Sequence, residues 1–134
     1  FCFWINRTCK NGWLLDPPKM KTSPAWAVGY YFIPVLQLWK PFTSMREIRD
    51  ASYGRRDKLS ATLPLWWVFW LALMFIGSIT NVLSANTADR ESLSMAYKLT
   101  TVSGPVKIIL DYLAIALVLG ITRAQNVRVA QWHR

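Results

Sequence analysis

The sequence predicts an all-α membrane protein, and three observations carry that reading. Long apolar stretches alternate with short charged blocks, and 17% of the 134 residues are charged against 53% hydrophobic. Tryptophan is abundant, with 8 residues, several near the ends of the apolar stretches. Basic residues are shared unevenly among the intervening segments, although the whole chain carries a formal net charge of +9 and a pI near 10.0. Such a balance also suits a nucleic-acid binder. The uncharged run at 65–83 argues against that class and for no nucleic-acid partner. Lys and Arg flanking such runs follow instead from their retention on the cytoplasmic side of a bilayer.

Taken in order, the chain starts at Phe1, and residues 1–5 read as the end of an earlier apolar helix. The expectation is a single membrane domain, 1–134, lacking an N-terminal hydrophobic part. Residues 6–23 form a basic connection, with Arg7, Lys10, Lys19 and Lys21 against Asp16. Cys2 and Cys9 lie seven apart, one face of a continuous helix, and neither belongs to a CxxC pair. With His133 as the sole histidine, no metal site is expected.

Residues 24–39, PAWAVGYYFIPVLQLW, are apolar but short. As a helix they would reach only about 24 Å, and Pro34 breaks or kinks any helix through their second half. The segment is therefore either a short, kinked span or a re-entrant hairpin. Residues 40–58 follow as a second basic block, in which 43–53 reads as a surface helix. Arg46 and Asp50 make an i,i+4 pair there, and Gly54 supplies a stop.

The clearest span is about 64–84. It has no charge between Leu65 and Leu83, reaches about 28 Å as a helix, and carries Pro64 in its first turn. Residues 84–104 have no net charge, and 86–99 suit an interfacial helix. A second span runs over about 104–123, with Ser103 or Gly104 as its cap and Pro105 at its first position. The segment after Thr122 extends that helix out of the membrane and carries three Arg and no acid.

Charge then orients the chain. The segments 6–23, 40–58 and 123–134 each carry a net +3, so the positive-inside rule puts all three, and the C-terminus, in the cytoplasm. Residues 84–104 then lie outside. With both flanks cytoplasmic, 24–39 enters and leaves by the same face, which favours the re-entrant reading.

Within that frame the stretch Ser23 to Ser52 carries a recognisable pattern: Ser-Pro-x-Trp-Ala-Val-Gly at 23–29, Phe-Ile-Pro at 32–34, Lys-Pro at 40–41 and Met-Arg-Glu-Ile at 45–48. The start FCFWINRTCKNG and the ITRAQ at 121–125 agree with it. The chain resembles the bacterial membrane proteins known as domain of unknown function 4328. The resemblance implies a multi-helix protein of the bacterial inner membrane and brings no particular chemistry with it.

The residues that carry chemistry are few. Asp111 lies within about 4 Å of the middle of the second span, where a carboxylate costs at least ~2.5 kcal/mol unless paired, wet or protonated. Lys107 is one turn away, and with antiparallel spans Ser78 and Asn81 fall at matching depths. These four are either an ion or proton site or the polar glue between helices. Lys40, Arg46, Glu47, Arg49, Arg55 and Arg56 make a cytoplasmic surface for docking or for anionic headgroups. Trp26, Trp39, Trp66 and Trp67 sit at predicted boundaries as interfacial anchors.

The sequence carries no HExxH, no glycine-rich phosphate loop and no nucleophile elbow, so no enzyme activity and no cofactor are expected. The partners expected are the lipid bilayer and other membrane subunits. The leading reading is a non-catalytic accessory or scaffold subunit of a membrane complex. The second is a small transporter or channel using the Asp111/Lys107 patch.

Overall fold

The computed structural model describes residues 1–54, 61–85 and 90–132, and among these the secondary structure is entirely helical. Five α-helices follow one another: α1 (Cys2–Leu15), α2 (Pro24–Gly29), α3 (Lys40–Tyr53), α4 (Thr62–Ala85) and α5 (Arg90–Trp132). Single 3-10 turns at Pro17–Lys19 and Leu36–Leu38 join the first three. The chain divides into two compact units, one of Phe1–Leu63 with Ala116–Arg134 and the other of Pro64–Ile115.

The first unit holds most of the core. Ile5 and Cys9 of α1, Ala27 of α2, Met45, Ile48 and Ala51 of α3, and Leu117 and Ile121 of α5 are buried. In α1, Ile5, Thr8, Cys9, Gly12 and Leu15 recur every three or four residues, the spacing of one helix face. A β-carbon on Gly12 would stand 3.0 Å from Met20 Sδ and 3.6 Å from Ala51 Cβ, so α1 and α3 approach closely there.

One expectation changes here. The helix that starts the chain does not stop near Ile5 but runs to Leu15. The polar residues of 6–15 accommodate this because Thr8, Asn11 and Cys9 turn inward to hydrogen-bond partners. The apolar stretch 24–39 is broken, as Pro34 led us to expect, although the helix already ends before that residue. Ser23 accepts from Trp26 N at 3.4 Å to start α2, and six residues later the helix gives way to turns. Pro34 stands in that turn region, and the segment ends in the short 3-10 turn. Six residues span only about 9 Å.

α3 ends as its sequence indicates. Gly54 takes a left-handed conformation, φ +69°, and its N–H donates to Asp50 O at 3.2 Å. The Arg46–Asp50 pair forms at 4.0 Å, the limit for an ion pair.

The second unit holds most of α4 and the first part of α5. Both helices are long and apolar enough to cross a membrane. Of the most apolar 18 residues of each, 0% in α4 and 11% in α5 are buried. Val68, Phe75, Ile79 and Val82 of α4 and Ile108, Tyr112 and Ile115 of α5 are exposed, the pattern of a surface completed by something other than water.

The second span differs from expectation at its start. Pro105 is not a first-turn residue but lies inside α5, which runs unbroken from Arg90. The interfacial helix expected at 86–99 and the span are thus one element over their described residues. Proline at 105 leaves the Thr101 carbonyl without its helical donor. Neighbouring hydroxyls reinforce the preceding turns: Thr100 donates to Ala96 O at 2.9 Å, Thr101 to Tyr97 O at 3.0 Å, and Ser103 to Thr100 O at 2.7 Å.

Candidate functional site

The densest polar construction lies in the first unit, where α1, α3 and the end of α5 meet. Leu117, Ile121, Gln125 and Arg128 share one face of α5 at spacings of four, four and three. The first two are apolar and buried, and Gln125 continues the face as a buried amide, 3% exposed. Its Nε2 donates to Thr8 O at 3.0 Å and to Ser52 Oγ at 2.9 Å, and its Oε1 accepts from Asn11 Nδ2 at 3.0 Å. Ser52 Oγ in turn donates to Ile48 O at 2.6 Å. One side chain therefore ties three helices together, with its amide donors and acceptor used. Higher on the same helices, Trp4 Nε1 donates to Thr122 Oγ1 at 3.2 Å.

Below Gln125, Arg128 Nη1 donates to Ala51 O. Lys19 Nζ donates to Gly54 O at 3.1 Å and pairs with Asp16 at 2.7 Å. Both cations sit at the C-terminal end of α3, where the helix dipole is negative and carbonyls lack helical partners.

On the other side of α3, Glu47 Oε2 accepts the backbone N–H of Lys21 at 3.1 Å and of Thr22 at 2.9 Å. The Thr22 carbonyl accepts from Trp13 Nε1 at 3.0 Å and from Cys9 Sγ at 3.4 Å. The 21–22 backbone is thereby clamped between α1 and α3. Burial, aided by the nearby Glu47 carboxylate, pushes the Cys9 thiol from 9.0 up to about 11. Cys9 is a protonated hydrogen-bond donor, while Cys2 is exposed.

The expected surface on 40–58 is therefore divided. Arg46 is largely exposed, and Lys40 lies over the Tyr30 ring at 5.5 Å. Glu47 is committed to the backbone clamp, and Arg49 is mostly covered and reaches Asp50 at 3.5 Å. Arg55 and Arg56 lie outside the described residues. Of the expected anchors, Trp26 and Trp39 are 52% and 46% exposed, and Trp26 stacks on Tyr30. Trp66 and Trp67 are buried, and Trp67 stacks on Trp70 at 4.8 Å.

Ser78, Asn81, Lys107 and Asp111 all belong to the second unit, and all four are exposed. Ser78 Oγ donates to Met74 O at 2.9 Å within its own helix. No hydrogen bond or ion pair joins the four among the described residues. No group of three or more His, Cys, Asp or Glu side chains suited to a metal occurs among the described residues.

The described residues thus define an all-α protein with two helices long and apolar enough to cross a membrane. Its family is also established: the chain belongs to the family described as Domain of unknown function (DUF4328), whose pattern matches residues 1–123. The match includes Thr8, Glu47, Ser52 and Asp111 and stops short of Gln125 and Arg128. No curated protein and no solved structure matches the chain.

Proposed function

We propose that the chain is a non-catalytic accessory or scaffold subunit of a membrane complex, and that a partner's helices cover the polar face of α5. One observation carries this reading. Lys107 and Asp111 are exposed on a membrane-length helix, beside Ile108 and Tyr112 at 71% and 72% exposure. Lipid on a mid-depth carboxylate is costly, as is lipid on an ammonium. A neighbouring helix that donates to Asp111 and accepts from Lys107 removes both costs, and such bonds are a common adhesive between membrane helices.

The accompanying topology places the first unit's basic segments and the C-terminus in the cytoplasm, with α4 and α5 crossing a bacterial inner membrane. The stretch 24–39 is re-entrant in this arrangement. Its division into α2, turns and a 3-10 turn supports that reading, because broken backbone is tolerated at membrane depth only under cover of protein or water.

Photocross-linking in intact membranes tests the subunit reading. A photoreactive residue at Ile108 is expected to give a discrete protein adduct that Asp111→Leu abolishes, whereas one at Val82 gives chiefly lipid adducts. Lipid adducts alone at both positions contradict it. The transporter reading draws on the same two charges lining a wet path. It requires flux in proteoliposomes that Asp111→Asn suppresses.

A further inference from the structure

Two hollows in the first unit share a wall. The inner one, of about 150 Å³, is lined by Arg49, Tyr53, Ala116, Leu117 and Ile121 among others. The outer one is a more open groove of about 480 Å³, lined by Tyr53, Arg123, Ala124, Val127, Arg128 and Gln131 among others. That volume falls within the roughly 300–1,000 Å³ of small-molecule sites. Tyr53 and Gly120 belong to both hollows. A β-carbon at Gly120 would come within 2.9 Å of the Tyr53 hydroxyl, so glycine is what lets the ring lie against α5.

The inner hollow sets the apolar Ala116, Leu117 and Ile121 of α5 beside Arg49 and Thr62. The outer groove sets Arg123 and Arg128 beside Ala124 and Val127, and among the described residues no acidic side chain lines either hollow. Arg123 is exposed and makes no hydrogen bond or ion pair among the described residues. Arg128 directs Nη1 to Ala51 O, and guanidinium carries further donors. Arginine pairs of this kind match phosphate oxygens.

We propose that this cleft holds one anionic phospholipid, its phosphate between Arg123 and Arg128 and the start of an acyl chain along Ala116 and Leu117. The charge is complementary: Arg49, Arg123 and Arg128 line the two hollows, and Ala116 and Leu117 offer apolar surface beside them. The proposal is independent of which partner, if any, covers Asp111.

The test is native mass spectrometry of the detergent-purified protein supplied with phosphatidylglycerol or phosphatidylcholine. One phosphatidylglycerol is expected to be retained in preference to phosphatidylcholine. Arg123→Gln should cut that preference about fivefold, the effect of one basic residue at an anionic headgroup. Ala116→Phe, which keeps the arginines and obstructs the apolar slot, should also reduce it, and Arg46→Gln should leave it unchanged. Equal retention of both lipids, or a preference indifferent to Arg123→Gln, overturns the proposal. Glycerol 1-phosphate displacing the lipid at equal concentration also overturns it, since the site would then belong to a soluble phosphate.

Discussion

The two units of this chain are built on opposite plans. In the first, polar groups are turned inward and consumed: Gln125 joins three helices, Glu47 clamps a connection, and Arg128 and Lys19 close the end of α3. In the second, most apolar side chains of the two long helices are turned outward, and Ser78, Asn81, Lys107 and Asp111 are exposed. The first unit specifies its shape by internal hydrogen bonds. The second leaves its surface to be completed by lipid or by another protein. Substitutions should therefore be costly in the first unit for reasons internal to the chain, and matter in the second mainly through what surrounds it.

The largest contrast should appear in thiol chemistry. At pH 8, Cys9 held near pKa 11 has a thiolate fraction about 100-fold below that of an ordinary thiol at 9.0. Its alkylation should be slower by at least that factor, and exposed Cys2 serves as the internal reference. The sign of the linkage also follows. The folded state holds the Cys9 proton more tightly, so its contribution to stability is intact below pH 9 and declines as pH rises from 9 to 11. Equal labelling of the two cysteines in the native protein would break the contrast.

Next in size is Gln125→Leu. It leaves Asn11 and the Ser52–Thr8 junction short of partners inside the protein and should cost about 3 kcal/mol, read as a lowered midpoint of thermal unfolding in detergent. Gly54→Ala should cost about 1 kcal/mol, because its φ is +69° and a β-carbon would crowd the Arg128 guanidinium at 3.2 Å. Smallest is Val82→Leu in the second unit. Val82 is 72% exposed, and the change should stay within about 0.5 kcal/mol. A Val82 effect matching that of Gln125 would mean that the second unit is stitched from within as well.

The span at 64–84 was legible because an uncharged run of 19 residues has few other fates, and the one at 104–123 because only Lys107 and Asp111 interrupt its apolar run. The Gly54 stop was legible because few residues other than glycine take a left-handed cap. The boundaries were less so. Ser103, Gly104 and Pro105 have the residue types of a helix start, yet α5 passes through them without a break. The polar junctions were not read from sequence at all. Gln125 resembles any polar residue in a basic tail, and only its register with Leu117 and Ile121 marks it as facing the core. Glu47 resembles a surface acid, because the backbone donors it serves lie 25 and 26 residues away.

The most direct test of the two-sided plan is single-cysteine labelling with a membrane-impermeant maleimide in sealed, oriented vesicles, in a background with Cys2→Ser. Cysteine at Arg46 is expected to react only from the cytoplasmic face and cysteine at Glu91 only from the opposite face. Cysteine at Ile115 should react from neither until detergent is added. Labelling of positions 46 and 91 from the same side, or ready labelling of position 115 in sealed vesicles, would contradict the account.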